Sequence, residues 1–141
     1  MSQSAKRPEF RNINAFKDLT TYKLPIAGIL SILHRISGLL MFILLPLAVW
    51  LFDLSVTSEF TYERLAAVVA GAGYYPGWLV KFIILGLIWA FLHHLVAGLR
   101  HVYMDVYHKV DKAFGKSSAI VSFAISLGLT AVLGAKLFGL Y

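Results

Sequence analysis

No cysteine occurs among the 141 residues. That absence excludes a disulfide framework, an iron–sulfur cluster ligated by this chain and covalent attachment of a c-type haem, so any cofactor is held by other side chains. Charge is scarce as well. Only 14% of the residues are Asp, Glu, Lys or Arg, 59% are hydrophobic, and the mean hydropathy is +0.74. Soluble domains carry about 25% charged residues, so the chain reads as an integral membrane protein. Acidic residues are the scarcest charges, seven against 13 Lys and Arg, for a net charge of +6. The cations lie at the ends of apolar runs, where they act as topology signals and contact anionic lipids, and this placement argues against nucleic acid as a partner. No internal repeat of the transporter kind is present, and three spans are few for a transport path.

The order of segments follows from where apolar runs start and stop. Residues 1–24 form a polar, basic arm with Lys6, Arg7, Arg11, Lys17 and Lys23 against Glu9 and Asp18. The apolar run behind it starts too late and runs too long for a secretory signal, so the arm is expected to be mature and aqueous. Phe10, Phe16 and Tyr22 in it suit headgroups or a soluble partner equally. The membrane unit is 25–141, with spans expected at about 25–52, 79–105 and 117–138. The first opens at Pro25 and contains Pro46, a potential kink. Between Asp53 and Trp78, a short interfacial helix is expected over Phe60 to Ala70, ended by Gly71, Gly73, Pro76 and Gly77; Tyr74, Tyr75 and Trp78 form an aromatic belt. The arm and first helix start hold six cations and the connection between spans two and three holds four (Arg100, Lys109, Lys112, Lys116), against one, Arg64, in the Asp53 to Trp78 connection. The positive-inside rule then places the N-terminus in the cytoplasm and the C-terminus outside.

The second span spends polar residues where they are expensive. His93 and His94 lie deep in its apolar run, and ionisable groups there usually serve ion paths, relays or cofactors. His94, Gly98, His101 and Asp105 follow at spacings of 4, 3 and 4, hence on one helix face that extends about 16 Å from mid-membrane toward the cytoplasm. Gly98 opens that face one turn from His94, which admits a flat, bulky group. The two adjacent histidines point about 100° apart, so at most one faces a given cofactor, and the other is expected to hydrogen-bond between helices. Arg100 and Asp105 have the plainer alternative of marking the helix end by snorkelling or pairing.

The first span carries a complementary cluster, "SILHRISG", from Ser31 to Gly38. Arg35 needs an anion, a carbonyl or water at that depth; its planar donors suit a carboxylate, while Ser31 suits a small polar headgroup. An interfacial Arg and His near lipid phosphates is the alternative. The third span has no titratable group in its apolar run. Ala119, Ser122 and Ser126, continued by Gly128, Ala131 and Ala135, form a small-residue stripe of the kind used in close helix packing.

Together, Arg7-Pro8, "SILHRISG" and the H-x-x-x-G-x-R-H-x-x-x-D pattern from His94 to Asp105 resemble the cytochrome b556 subunits of succinate dehydrogenase, the larger membrane anchors of bacterial-type Complex II. The resemblance covers essentially the whole chain. It implies an all-α integral membrane protein of three transmembrane helices, packed with a partner anchor subunit into a haem-binding bundle. His94 is then the axial ligand of a haem b whose second ligand comes from the partner, with His93 as the competing choice. The resemblance also makes Ser31 and Arg35 the ubiquinone-site residues and gives His34, Arg35 and His101 to a haem propionate or to site support. Gly98 is left for haem approach and Asp105 for site support. FAD and the iron–sulfur clusters belong to a flavoprotein subunit and an iron–sulfur subunit, so the chain is not catalytic alone. The expected location is the bacterial cytoplasmic membrane, the mitochondrial inner membrane being the lesser alternative. Two other readings stay open: a quinol–fumarate reductase anchor, and a haem-free structural anchor.

Overall fold

The computed structural model describes residue 14, residues 17–18 and residues 21–141; Arg7, Pro8, Phe10 and Phe16 lie outside them. Among the described residues four complete helices follow in order: α1 (Ile26–Thr57), α2 (Glu59–Ala70), α3 (Gly77–Tyr107) and α4 (Lys112–Leu137). Three of them, α1, α3 and α4, are long and apolar enough to cross a membrane. At 1.5 Å per residue the shortest of the three, with 26 residues, is about 39 Å long, more than the roughly 30 Å hydrocarbon core. This is a multi-pass membrane protein, and its described residues contain no strand.

Local signals set the helix ends. Pro25 stands at the N-cap of α1, one residue before the first helical position, with an extended backbone (ψ 151°). The helix runs through Pro46 and past Asp53 to Thr57, beyond the expected end of the first span near residue 52. Ser55 and Thr57 satisfy their hydroxyls on the Phe52 and Asp53 carbonyls, so polar residues there extend the helix rather than ending it. Ser58 stops α1 and caps α2 in a reciprocal box with Thr61. Gly71 closes α2 in the left-handed conformation (φ 98°), and a Cβ on Gly77 would lie 2.8 Å from the Gly71 Cα, so this turn needs both glycines. Asp111 caps α4 by accepting from the Phe114 amide at 2.8 Å.

Helix α3 is the central element, packed on α1 along one side and on α4 along another. Its α4 side uses Ala90, His93 and Ala97, all buried, against buried Ala119, Ser122, Ser126 and Gly134. The small-residue stripe of the third span thus serves packing. It continues through Gly134, where a Cβ would sit 2.8 Å from Leu85 Cδ1, and not through Gly128, which faces open space. The serine hydroxyls on this seam bond to carbonyls of their own helix, leaving apolar surfaces to meet. Along α1, by contrast, Phe42, Ile43 and Phe52 are all at least 63% exposed. Apolar exposure on that scale requires lipid or another membrane chain.

Candidate functional site

His34 of α1, with His94 and His101 two turns apart on α3, builds a column of imidazoles between the two helices. The His34 ring stacks on the His94 ring with centroids 4.2 Å apart and planes 20° apart, and His101 lies 5.2 Å from His34 on the other side. Among the described residues no group of three His, Asp or Glu is arranged to chelate a single ion. Stacked rings cannot aim their nitrogens at one point, so the column offers separate donors.

The orientation of His94 is determined by α1. Its Nδ1 lies 3.0 Å from the His34 carbonyl oxygen and 3.4 Å from Ser37 Oγ, and the Ser37 hydroxyl donates to that same carbonyl at 2.9 Å. A carbonyl only accepts, so Nδ1 carries the proton and donates. In its neutral form the ring then holds its lone pair on Nε2. This nitrogen makes no hydrogen bond and, unlike His34 Nε2 and both His93 nitrogens, is not sealed inside the chain. Gly38 provides the room for the ring: a Cβ there would lie 2.7 Å from His94 Cε1 and 3.1 Å from Nδ1. Ser37 and Gly38 lie inside the "SILHRISG" cluster, but the sequence assigns neither a part in positioning the His94 ring. The only available signal was their place three and four residues after His34, which gains meaning once the facing helix is known.

His93 has the opposite setting. It is 1% exposed, with its ring between Trp89 (5.2 Å) and Phe123 of α4 (5.4 Å). The Leu30 backbone of α1 lies close enough for a weak hydrogen bond to the ring, although neither ring nitrogen meets strict hydrogen-bond geometry with any described partner. The hydrogen bond between helices expected of this residue has a candidate in that Leu30 backbone of α1, outside strict geometry, while the ring itself packs between aromatic rings. A cofactor could reach it only by removing α4.

The other expected residues divide into two groups. Gly98 faces the column, and a Cβ there would meet His34 Nε2 at an ordinary 3.5 Å. Its missing side chain is thus not needed for packing within the chain. His34 Nε2 is itself buried without a partner. Ser31, Arg35 and Asp105 make no hydrogen bond or ion pair with any described residue. For Ser31 this is informative, because the serines inside α1 and α4 at positions 37, 55, 117, 118, 122 and 126 each donate to a carbonyl of their own helix. Ser31 is the one described helical serine that does not. Arg35 is exposed and within electrostatic reach of His34. Asp105 is exposed and is not brought into the column.

Fold and site together define a class: a multi-pass membrane chain with three helices long enough to span and an imidazole column at a helix pair, one ring nitrogen of which makes no hydrogen bond. Comparison with known proteins narrows the class. The family model described as succinate dehydrogenase/fumarate reductase transmembrane subunit matches residues 7–133. The chain is 34% identical over 123 residues to a succinate dehydrogenase cytochrome b556 subunit of Coxiella burnetii, covering 87% of this chain and 90% of that protein. It is 31% identical over 117 residues to the protein of the same name in Paracoccus denitrificans, covering 82% and 85%. The chain belongs to the succinate dehydrogenase/fumarate reductase transmembrane subunit family.

Proposed function

We propose that this chain is the membrane anchor subunit of a succinate:ubiquinone oxidoreductase in a bacterial cytoplasmic membrane, N-terminus in and C-terminus out, which shares a haem b with a second anchor subunit. Family membership supports the setting, and the relatives' names favour the succinate direction over a quinol–fumarate reductase. The observation that carries the haem reading is the His94 Nδ1 hydrogen bond to the His34 carbonyl. A backbone acceptor on one ring nitrogen fixes the tautomer and raises the basicity of the other, as is usual for metal-ligating histidines.

The residues fit a haem in further ways. Gly98 keeps the helix surface beside His34 free of a side chain, although a Cβ there would make only an ordinary contact at 3.5 Å. His34 supports the site through its carbonyl, which fixes the His94 ring, and the exposed Arg35 beside it is the cation available to a propionate. One imidazole per chain is half of a bis-histidine site, so the second ligand is assigned to the partner anchor. Bound there, the haem would supply a one-electron store inside the membrane. The chain's own contribution is to hold the ligand ring on α3 by means of α1, and to exclude water from the stacked column.

The quinone site is assigned to Ser31 and Arg35. The Ser31 hydroxyl lacks the helix back-bond of the other serines, so it is free to donate to a quinone oxygen, and Arg35 adds an exposed, unpaired cation one turn on. Flavin and iron–sulfur chemistry belongs to soluble partner subunits, a flavoprotein and an iron–sulfur protein that dock on the cytoplasmic side; this chain has no cysteine to take part in it. In the purified complex, Arg35→Ala is expected to depress quinone reduction at least tenfold, the loss of about 1.4 kcal/mol or more in a charge-assisted contact, and Ser31→Ala about fivefold, the loss of a neutral hydrogen bond of about 1 kcal/mol. Succinate oxidation by an artificial dye acceptor is expected to persist. Unchanged quinone kinetics in both variants would remove the assignment, and a complex with no b-type absorbance after dithionite would leave a haem-free anchor.

A further inference from the structure

Arg100, the arginine of the His94 to Asp105 pattern, has no part in the imidazole column. It turns instead to α4, where Nε donates to Ser118 Oγ at 2.8 Å and Nη2 to the Gly115 carbonyl at 3.2 Å. A guanidinium has five N–H groups, so three remain, and no carboxylate among the described residues pairs with it. A half-buried cation held only by neutral groups near the end of an apolar span is costly unless an anion reaches it.

Two cavities meet at this side chain. One, of about 610 Å³, lies between the start of α1, the end of α3 and the start of α4, and is lined by Arg100, Lys112 and Lys116 as well as Pro25 and Met104. The other, of about 520 Å³, is a groove between α3 and α4 that runs from Val96 and Ile125 past Arg100 to Tyr103 and Phe114, so Arg100 lines both cavities. Asp111 also borders the first cavity, but its carboxylate is engaged as the cap of α4. Three cations against one carboxylate leave the first cavity basic, and the second is almost wholly apolar.

We propose that the two cavities form one binding site for an anionic phospholipid. Its phosphate is held by Arg100, Lys112 and Lys116, and one acyl chain lies in the Val96 to Ile125 groove. A basic pocket between spans on the cation-rich side of a membrane protein suits an anionic headgroup. The adjoining apolar groove selects a lipid over a free phosphate or an acidic peptide. Because Arg100 and His101 are consecutive on a helix and point about 100° apart, the lipid occupies a different face from the histidine column. It would bridge α3 and α4 across their connection.

The test uses the purified complex in nanodiscs of phosphatidylcholine with a minor share of phosphatidylglycerol, from wild type and from Lys112→Gln and Lys116→Gln variants. After extraction in mild detergent, retained lipid is measured by mass spectrometry, with the reduced spectrum confirming assembly. Retention of phosphatidylglycerol over phosphatidylcholine is expected in wild type, falling about fivefold for each lysine removed. A phosphatidylglycerol carrying a photoreactive acyl chain is expected to label Val121 to Ile125 of wild type, which keeps the test independent of how the variants fold. Equal retention in all samples would overturn the proposal, as would labelling that inorganic phosphate abolishes. Loss of the iron–sulfur subunit from the lysine variants, with lipid content unchanged, would make the patch a protein-docking surface and overturn it equally.

Discussion

His94 and His93 are neighbours in sequence and opposites in environment, because a 100° step on α3 turns one ring toward α1 and the other toward α4. His94 has a fixed proton and an accessible lone pair, whereas His93 has two buried nitrogens without partners in strict hydrogen-bond geometry. Replacing His93 by Leu, similar in volume, is expected to leave stability within about 1 kcal/mol of wild type or to raise it, since an unsatisfied polar group is removed; a detergent thermal melt checks this. Gly38→Ala is expected to act on the ligand from the other helix, because the added carbon meets His94 Cε1 at 2.7 Å. Overpacking of this kind costs about 1–3 kcal/mol, and the expected readout is reduced haem content in the purified complex. Full haem content would show that the ring has room to shift. Spacing alone revealed the His94, Gly98 and His101 face. Ser37 and Gly38 were not legible as ligand-positioning residues, since their contacts cross from α1 to α3 and one sequence carries no record of which helices meet.

Among the elements, α3 and α4 depend on close approach of small residues, and the structure separates two glycines that look alike in sequence. Gly134→Val is expected to destabilise the α3 and α4 pair by about 1–3 kcal/mol through collision with Leu85, while Gly128→Val is expected to be close to neutral. Resistance of the purified complex to graded sodium dodecyl sulfate, or its melting temperature, distinguishes the two. The spans were legible because apolar runs of that length have few other uses. The end of α1 was not: Asp53 reads as the edge of an apolar run, but Ser55 and Thr57 back-bond and carry the helix on to the Ser58 cap. The stripe on α4 was legible at Ala119, Ser122 and Ser126, and drifted at Gly128 because its continuation is set by where Leu85 lies.

As a whole molecule, the chain exposes more apolar surface than it buries in any core, and its imidazole column lies at a helix pair and not in a closed cavity. The first feature is met by lipid or by a further membrane chain, and in the proposed function the second is completed by the partner anchor. The proposed topology is tested directly because there is no native cysteine: Tyr141→Cys is expected to react with an impermeant maleimide in intact cells, and Lys17→Cys only after permeabilisation. The reverse pattern would invert the proposed orientation. The central claim is that this chain supplies one haem ligand through His94, leaving the other to a partner. Its most direct test is the dithionite-reduced minus oxidised spectrum of the assembled complex from wild type, His93→Leu and His94→Leu. The b-type bands are expected in wild type and His93→Leu and are expected to be lost or shifted in His94→Leu; unchanged bands in His94→Leu, or their loss in His93→Leu alone, would contradict the account.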